Sequence, residues 1–297
     1  MNTIKQIVDS VQSSELKTIA IAGISLEELE IVEKATAKNL AEFILIDTET
    51  TILNMISKYG KNISAKHIYV NDLHDAPTEA VKLVKEKIAD MPMKGQIHTG
   101  TFLKAVLHKE NGLADSGATR LSQITAFDGY NGEIQFLTDC AININPNTNE
   151  LISIIKNAVL LYQKLGEKLP KVALLGAVET VGEKMPDTII SAVITQMNRR
   201  NQITDCIIDG PLSLDNAVSK KYAEIKNIVS PVAGKAQILV ASSINEANSL
   251  SKGIIHYAKI PAASLIAGTI SPIVMTSRTD TIENKLNTIA FTSFLKG

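Results

Sequence analysis

The segment Pro272-Ile273-Val274-Met275-Thr276-Ser277-Arg278-Thr279-Asp280 joins an apolar run to hydroxyl side chains and one arginine. The apolar run predicts a short buried strand, and a helical pattern starts at residue 281 and continues to residue 294. Where a strand gives way to a helix, hydroxyls, a guanidinium and the free N–H groups of the first helical turn meet at one point. The segment therefore indicates an anion site. A helix cap at Ser277 or Asp280, with Arg278 in a surface ion pair, is the alternative interpretation.

Outward from this segment, short apolar runs alternate with helical patterns along the chain. This alternation predicts an α/β fold with a parallel sheet covered by helices on both faces. Such sheets bind ligands beyond the carboxyl ends of their strands, where the polar loops of this chain are expected. A long helical pattern over residues 149–165, ended by Gly166 and Pro170, marks a candidate domain crossing. The other predicted strands are at 17–22, 43–46, 67–70, 133–137, 172–175, 206–208, 237–240 and 263–267, with a turn at 209–212. The other predicted helices are one opened by a capping box at 25–28 and continuing through 32, one opening at 214, and those at 50–59, 78–89, 102–107, 186–198 and 245–257.

The composition limits the classes of function. With 297 residues, 45% of them hydrophobic and 21% charged, the chain can bury a large core, and two domains or one large α/β unit are expected. The net charge of −1 gives no reason to expect nucleic acid or a membrane as a partner. No apolar signal core and no apolar run of 18 residues is present, so a cytoplasmic location is expected. Cys140 and Cys206 fit no metal or disulfide spacing, and buried reduced thiols are expected there.

Several catalytic motifs are absent from the sequence. There is no G-x-G-x-x-G after the first predicted strand, no G-x-S-x-G and no G-x-x-x-x-G-K-[ST], so a dinucleotide fold, a hydrolase elbow and a P-loop have no support. No cluster of His, Cys, Asp and Glu has the spacing of metal ligands. What remains is a set of predicted strand-end loops that carry Lys, Arg, Ser and Thr. These residue types favour a phosphate-bearing substrate bound without a metal.

The loop over residues 93–101 contains two glycines together with Lys94, His98 and Thr99. Glycine lets the backbone approach a ligand closely, and a threonine can cap the following helix in front of an anion. His98 is either an acid/base or hydrogen-bond donor, or a residue that caps or packs at a strand end. Arg120, in a stretch with little pattern, fits a surface position as well as a ligand clamp.

Six segments, in order from residue 93 to residue 278, are similar to the phosphate acetyl/butyryltransferase family. Each segment alone is weak, but six in the same order are specific. Residues 1–90 agree with the family only in the type and arrangement of the predicted elements. The Lys94 loop and the Thr-Ser-Arg-Thr-Asp run resemble the butyryl branch more than the acetyl branch. The segments cover residues 93–101, 138–141, 177–179 with 184–186, 208–218, 230–236 and 272–278.

The resemblance implies a fold like that of isocitrate and isopropylmalate dehydrogenases, with two α/β domains and a cleft between them. In that fold the C-terminal segment returns to the first domain. The expected first domain is therefore residues 1–138 with 274–297, and the expected second domain is residues 139–273. Members of the family usually form homodimers or larger homo-oligomers, and the same is expected here.

The resemblance also implies the reaction acyl-CoA + phosphate ⇌ acyl phosphate + CoA, with a butyryl or similar short acyl group. Coenzyme A is then a co-substrate, and no permanently bound cofactor is expected. Thiolate or phosphate attacks the acyl carbonyl through a tetrahedral oxyanion, so cations and N–H donors should dominate the site. The alternatives are a phosphate acetyltransferase, a catalytically weak paralogue that binds acyl phosphate or CoA, and, more distantly, a dehydrogenase of the same fold.

Roles for single residues follow from the resemblance. Arg278 would clamp the phosphate, and Ser277 would hydrogen-bond the thiol or the carbonyl oxygen. Asp280 and His98 are candidate bases, because Asn284 stands where the acetyl branch has an aspartate; a free thiol, with a pKa of about 8.5, also ionises slightly by itself. A second departure is Ala247, where the family usually has glycine before the asparagine. The residues expected to bind phosphate or CoA are Thr276, Arg120, Lys94, Lys104, Thr99, Gly210, Lys235, Asn248 and Lys252.

Overall fold

The computed structural model describes residues 3–114 and 120–297. The chain divides into two compact units, and each is built from two separate stretches of sequence. The first unit contains Lys5–Thr119 and Ala263–Gly297, and the second unit contains Met1–Ile4 and Arg120–Ala262. Relative to the expected domains, residues 1–4, 120–138 and 263–273 fall in the other unit, and the domain assignment itself stays a prediction.

Helices and strands alternate through most of the chain. The helices are α1 Ile4–Val11, α2 Leu26–Ala37, α3 Glu49–Tyr59, α4 Ala76–Lys85, α5 Thr99–Val106, α6 Thr148–Gln163, α7 Pro186–Arg199, α8 Leu214–Val218, α9 Lys220–Ile225, α10 Ile244–Lys252 and α11 Ile282–Lys296. The strands are β1 Thr18–Ala22, β2 Glu42–Asp47, β3 Lys66–Tyr69, β4 Met91–Lys94, β5 Ser122–Asp128, β6 Ile134–Thr138, β7 Lys171–Leu175, β8 Ile207–Leu212, β9 Ile238–Val240, β10 Ala262–Ala267 and β11 Ile273–Val274.

The sheet of the first unit has the strand order β3-β2-β1-β4-β11-β10. Its neighbouring strands are parallel, except that β10 and β11 pair antiparallel. Consecutive side chains from Ile19 to Ala22 are fully buried, as expected for a parallel strand covered on both faces. Ala22 pairs with Lys94 and Val274 pairs with Met93, so the carboxyl ends of β1, β4 and β11 lie side by side.

The sheet of the second unit has the strand order β5-β6-β9-β7-β8. Strands β6, β9, β7 and β8 are parallel, whereas β5 and β6 are antiparallel. A short hairpin turn joins β5 to β6, and in it the N–H of Gly129 donates to the carbonyl of Glu133 at 2.8 Å. Such a turn connects only antiparallel strands. Most neighbouring strands are therefore parallel, as predicted, but the antiparallel pairs β5–β6 and β10–β11 make the sheets mixed.

Two strands were missed, and two local predictions were wrong. Strands β4 and β5 were not predicted, because Pro92 in the middle of β4 lacks an N–H and argues against a central strand, and β5 has little pattern. Residues 209–212 continue β8 instead of forming a turn, with a cis bond between Gly210 and Pro211. The helix predicted to reach residue 257 ends at Lys252, and a π-helical turn, Gly253–Tyr257, follows it.

Helix α11 is buried along nearly its whole length within the first unit. Leu286, Ile289 and Phe291 belong to the core, and the hydroxyl of Thr288 accepts the N–H of Ser264 from β10 at 3.0 Å. A helix buried on most of its faces holds the end of the preceding strand, β11, in place. None of the described helices is long and apolar enough to cross a membrane.

The junction of β1 and β4 leaves no space for a side chain at Gly95. A Cβ there would lie 1.9 Å from the carbonyl oxygen of Gly23, whereas a Cβ on Gly253 would meet nothing within 4 Å. We expect Gly95→Ala to lower the free energy of unfolding by about 1–3 kcal/mol or more, because backbone must move. Gly253→Ala, in a helical conformation, should leave it unchanged or raise it by about 0.4–1 kcal/mol. Chemical denaturation of both variants measures this difference, and equal midpoints would contradict the close approach.

Candidate functional site

Three loops of the first unit leave the sheet at one edge, which we call the first-unit edge: residues 23–25 after β1, 94–98 after β4 and 275–281 after β11. A helix begins at the end of each loop, with Ser25, His98 and Thr281 as the capping residues of α2, α5 and α11. The N-terminus of a helix carries free N–H groups and partial positive charge. The first-unit edge therefore combines three anion-attracting helix ends.

The loop after β11 is closed by Asp280. Its carboxylate accepts the N–H of Ser277 at 2.7 Å, and the N–H of Asp280 donates to the carbonyl of Ser277 at 3.2 Å. The hydroxyls of Ser277 and Thr279 lie 3.1 Å apart, and Thr276 is half-buried beside them. This turn leaves the Arg278 side chain exposed, and no carboxylate in residues 3–114 or 120–297 forms an ion pair with it. Among the described residues, the surface ion pair considered for Arg278 has no partner.

Lys94 ends β4 and lies within electrostatic reach of Arg278. Its Nζ donates to the carbonyl oxygens of Gly95 at 3.1 Å and Ile97 at 3.4 Å, so the ammonium holds the loop after β4. Burial lowers the pKa of Lys94, and the positive charges of Arg278 and Lys285 lower it further, while Glu28 and Glu27 oppose the shift. A lysine whose charged form is destabilised in this way gains from binding an anion.

His98 caps helix α5. Its Nδ1 accepts the N–H of Gly100 at 3.3 Å, so in the neutral ring the hydrogen is on Nε2. The capping interpretation of His98 is thus the one that this geometry supports directly. Thr99 is the exposed first residue of α5, and Lys104 lies exposed further along the same helix.

Arg120 in the second unit is held by its own neighbours. Its guanidinium donates to Oδ1 of Asn143 at 2.9 Å and forms a short ion pair with Glu150 at the start of α6. Asn143 in turn donates to the carboxylate of the buried Asp139, which also accepts the N–H of Gln123 at 3.0 Å. Arg120 therefore has a structural partner for its charge, in contrast to Arg278.

The other predicted binding residues of the second unit lie in three different places. Asn248 on α10 donates to the carbonyl of Cys140, just beyond β6, at 3.0 Å, and Lys252 is exposed one turn further along that helix. Gly210 lies inside β8, where a Cβ would come within 2.7 Å of Leu174. Lys235 precedes β9 and is next to the start of β7, where the N–H of Gln237 donates to the carbonyl of Lys171 at 2.8 Å. Lys235 thus lies at the amino ends of these strands, and its assignment as a binding residue stays a prediction.

A pocket of about 370 Å³ opens at the carboxyl ends of β7 and β9 in the second unit. Its apolar lining comes from the ends of β7 and β9 and from residues of α6 and α7, and Asp187, Ser242 and Ser243 are among its polar residues. Among the described residues, no group of three or more His, Cys, Asp or Glu side chains is placed to hold a metal ion.

Comparison with known proteins shows to which family the chain belongs. A family model described as phosphate acetyl/butaryl transferase matches residues 2–293 of the chain. The chain belongs to this family. It is accordingly an acyltransferase, and the family predicted from the six sequence segments is confirmed.

Relatives of known sequence and structure agree with this assignment to the phosphate acetyl/butyryl transferases. A phosphate butyryltransferase of Clostridium beijerinckii is 38% identical over 283 residues, covering 94% of this chain and 93% of that protein. The crystal structure of a branched-chain phosphotransacylase from Enterococcus faecalis V583 is 33% identical, with a TM-score of 0.84 over 95% of this chain and 99% of that one. A 4-hydroxythreonine-4-phosphate dehydrogenase from Klebsiella pneumoniae, 12% identical with a TM-score of 0.60 over 96% of this chain and 100% of that one, shares the fold alone. The predicted dehydrogenase-like α/β fold is thus confirmed.

One family segment has a structural role that the sequence did not reveal. In this acyltransferase Glu179, after β7, accepts hydrogen bonds from Ser213, after β8, and from Lys226 at 2.8 Å. The bond from Lys226, and then the bond from Ser213, lower the pKa of Glu179. Asn216 donates to the same carboxylate and is fully buried. The segment 208–218 therefore ties two strand ends together.

Lys285 and Glu27 at the first-unit edge were also missed. Lys285 is buried and forms a short ion pair with Glu27, the second residue of α2. In the sequence, Lys285 looks like an exposed residue in the first turns of a helix, and Glu27 looks like part of a helix cap. A lysine beside Asn284 and Leu286 carries no local signal of burial, because burial here depends on a helix that lies more than 200 residues earlier in the chain.

The two cysteines should be unreactive in the native protein. Burial raises the pKa of Cys140 to about 12 and that of Cys206 to about 11, with Asp139 and Asp205 adding to the shift. At pH 8 only about one thiol in a thousand or fewer is then ionised, and the thiolate is the reactive form. An aromatic disulfide reagent should therefore label neither cysteine in the folded protein and both after denaturation. Rapid labelling of the folded protein would contradict the burial of these thiols. The same measurement gives the background signal that the protein's own thiols contribute when released CoA is assayed with a thiol reagent.

Proposed function

We propose that this protein transfers a butyryl or similar short acyl group between coenzyme A and inorganic phosphate: acyl-CoA + phosphate ⇌ acyl phosphate + CoA. The observation that supports this most is the first-unit edge of a phosphate acetyl/butyryl transferase family member, where exposed Arg278 and half-buried Lys94 stand beside three helix N-termini. Phosphate and acyl phosphate are the anions that such a combination of a guanidinium, an ammonium and N–H groups binds.

The chemistry requires stabilisation of negative charge at several atoms. A phosphate oxygen attacks the carbonyl carbon of the thioester, a tetrahedral oxyanion forms, and the carbon–sulfur bond breaks to release CoA as a thiolate. In our proposal Arg278 binds phosphate through both arms of its guanidinium, and Ser277 donates to the carbonyl oxygen or to the sulfur. Lys94, Thr276 and Thr99 complete the anion environment, and Lys104 extends it along α5. In the reverse direction the CoA thiolate attacks the acyl phosphate, and phosphate leaves.

The proton of the CoA thiol has several possible acceptors. His98 presents Nε2 outward from its cap, and Asp280 has a carboxylate that is engaged by the N–H of Ser277. A thiol with a pKa of about 8.5 is ionised to a few per cent at neutral pH, and nearby cations raise that fraction. We propose that ionisation favoured by Lys94 and Arg278 makes a strong base unnecessary, with His98 and Asp280 as the candidates where one is used.

The second unit is proposed to take part in binding CoA. Asn248 and Lys252 of α10 offer an amide and an ammonium, and Gly210 and Arg120 were assigned to the same task from the family resemblance. Lys235 is the weakest of these assignments, since it lies at the amino ends of the strands. A homodimer or larger homo-oligomer and a cytoplasmic location belong to the proposal as well.

The acyl group is the open part of the proposal, because the family description covers both acetyl and butyryl transfer. The direct test is the release of free CoA thiol from butyryl-CoA with and without phosphate. We expect release only with phosphate, and a higher kcat/KM for butyryl-CoA than for acetyl-CoA. Each methylene contributes only about 1–3 kcal/mol to such discrimination, so activity with both substrates is expected. A higher kcat/KM for acetyl-CoA would identify an acetyltransferase, and phosphate binding without any CoA release would identify a binding protein.

Arg278 has a sharp mutational test. Arg278→Ala should lower kcat by about 10²–10³-fold, because a preorganised donor to the reacting anion is lost. The matched control is Arg200→Ala, which removes an exposed arginine at the end of α7 and should keep wild-type turnover. Circular dichroism shows whether each variant is folded. Normal turnover by folded Arg278→Ala protein would rule out the assigned role.

Asp280 can be tested by two substitutions that separate loop closure from proton transfer. Asparagine still accepts the N–H of Ser277 but cannot take a proton, whereas alanine does neither. We expect Asp280→Asn to keep turnover within about tenfold of wild type and Asp280→Ala to lose more, because an ionised thiol needs no strong base. Equal, large losses in both variants would instead make Asp280 the base.

A further inference from the structure

Lys285 is a buried lysine at the first-unit edge that the roles described so far leave unexplained. It lies in the first turns of α11, one turn beyond the Thr281 cap, and only 2% of its side chain is exposed. An ammonium has three N–H donors, and within residues 3–114 and 120–297 the hydrogen bond of Lys285 Nζ is to Glu27 alone. Two N–H donors of this buried cation are thus left without an acceptor among the described residues. Burying them in this state costs free energy unless another group accepts their hydrogen bonds.

The charged groups that act on Lys94, with Lys285 among them, come from each element that meets at this edge. Glu27 and Glu28 are on α2, Lys94 is at the end of β4, and Arg278 is in the loop after β11. The carboxylate of Glu28 already accepts the N–H of Ser25 at 2.8 Å, and the carboxylate of Asp280 accepts the N–H of Ser277 at 2.7 Å. Glu27, whose side chain is 42% exposed, is therefore the direct counter-charge of Lys285.

A gain in stability does not account for this pair. Removing two charges from water costs about as much as their attraction returns, so a buried ion pair is often no better than two apolar side chains. A buried charge does act strongly on a neighbouring ligand, because little water screens it. An anion at Arg278 and Lys94 would feel the charge of Lys285 in this way.

We propose that Lys285 is part of the anion site of the first unit: its buried ammonium attracts the phosphate held at Arg278 and Lys94, and Glu27 offsets part of that attraction. The inference rests on the proposed function, which supplies phosphate as the anion. Lys285 acts as a positioning and charge-supplying residue. The competing explanation is an ion pair that only ties α11 to α2, and it predicts no selective effect on phosphate.

The test compares the two members of the pair, because the proposal gives them opposite effects. The dissociation constant of inorganic phosphate is measured by calorimetry at one low ionic strength for the whole protein without acyl-CoA. Lys285→Met should raise this constant about tenfold, and Glu27→Gln, which keeps the acceptor oxygen but removes the charge, should lower it about threefold. The matched controls are Lys61→Met and Glu33→Gln, which break a more exposed Lys–Glu pair of the same unit and should leave the constant within about twofold.

Shifts of opposite sign support the proposal. A purely structural pair would give either no change in both variants or weaker binding in both, and either result overturns it. If Lys285→Met does not fold, Glu27→Gln decides alone, since its partly exposed side chain is replaced by one of equal size; unchanged or weaker phosphate binding in that variant overturns the proposal.

The CoA-release activity of these variants is measured separately from their binding of phosphate. If the CoA-release reaction exists, the KM for phosphate should follow the dissociation constants while kcat stays within about threefold, as expected for loss of ground-state binding. Opposite shifts in phosphate binding without any CoA release would overturn the proposed function and leave this inference standing. Phosphate-dependent CoA release without the opposite shifts would overturn this inference alone.

Discussion

The arrangement of the first unit depends on one close backbone approach, that of Gly95 to Gly23. The N–H of Gly95 donates to the carbonyl of Ala22 at 3.0 Å, and the next N–H, that of Gln96, donates to the carbonyl of Gly23 at 3.1 Å. These bonds extend the pairing of β1 and β4 beyond the strands themselves and bring the loop after β4 against the start of α2. Because β4 also pairs with β11, the same approach sets where Arg278 and Lys94 meet. A constraint on two glycines thus determines which charges lie together at the first-unit edge.

Sequence reasoning found the family, the α/β class and the segment around Arg278, because each depends on local pattern. The run from Ile273 to Val274, followed by hydroxyls and an arginine, can be read without knowing what lies next to it. It did not find β4, since Pro92 is unfavourable in a strand by itself and is accepted here only because both neighbouring strands hold the segment in place. Burial of Lys285 and the placement of Lys235 depend on which strands become neighbours, and no local pattern contains that information.

In the second unit, the side chains of the family segments mainly hold loops together. Glu179, Ser213 and Lys226 come from the two loops that follow β7 and β8 and from the end of α9, and their hydrogen bonds join these loops. Arg120 and Asp139 are similarly occupied by Asn143 and by backbone N–H groups. Residues that identify the family in sequence therefore include many that shape the strand ends, whereas the cations at the first-unit edge have few protein partners. In the proposed function, hydrogen-bonded polar groups therefore belong to the scaffold, and the cations with few described partners belong to the site.

The pairing of β4 with β11 has a consequence for how the chain folds. Met93 and Val274 are partners although about 180 residues, including nearly the whole second unit, separate them in the chain. Apart from residues 1–4, the second unit is one continuous stretch, and during synthesis this stretch can fold as soon as its residues emerge. The first unit has to keep an open edge on β4 until residues 273–297 have been made. An unpaired edge on a central, apolar strand is prone to association with other chains. The arrangement that places Arg278 beside Lys94 thus also gives the nascent protein an interval in which the sheet of its first unit is incomplete.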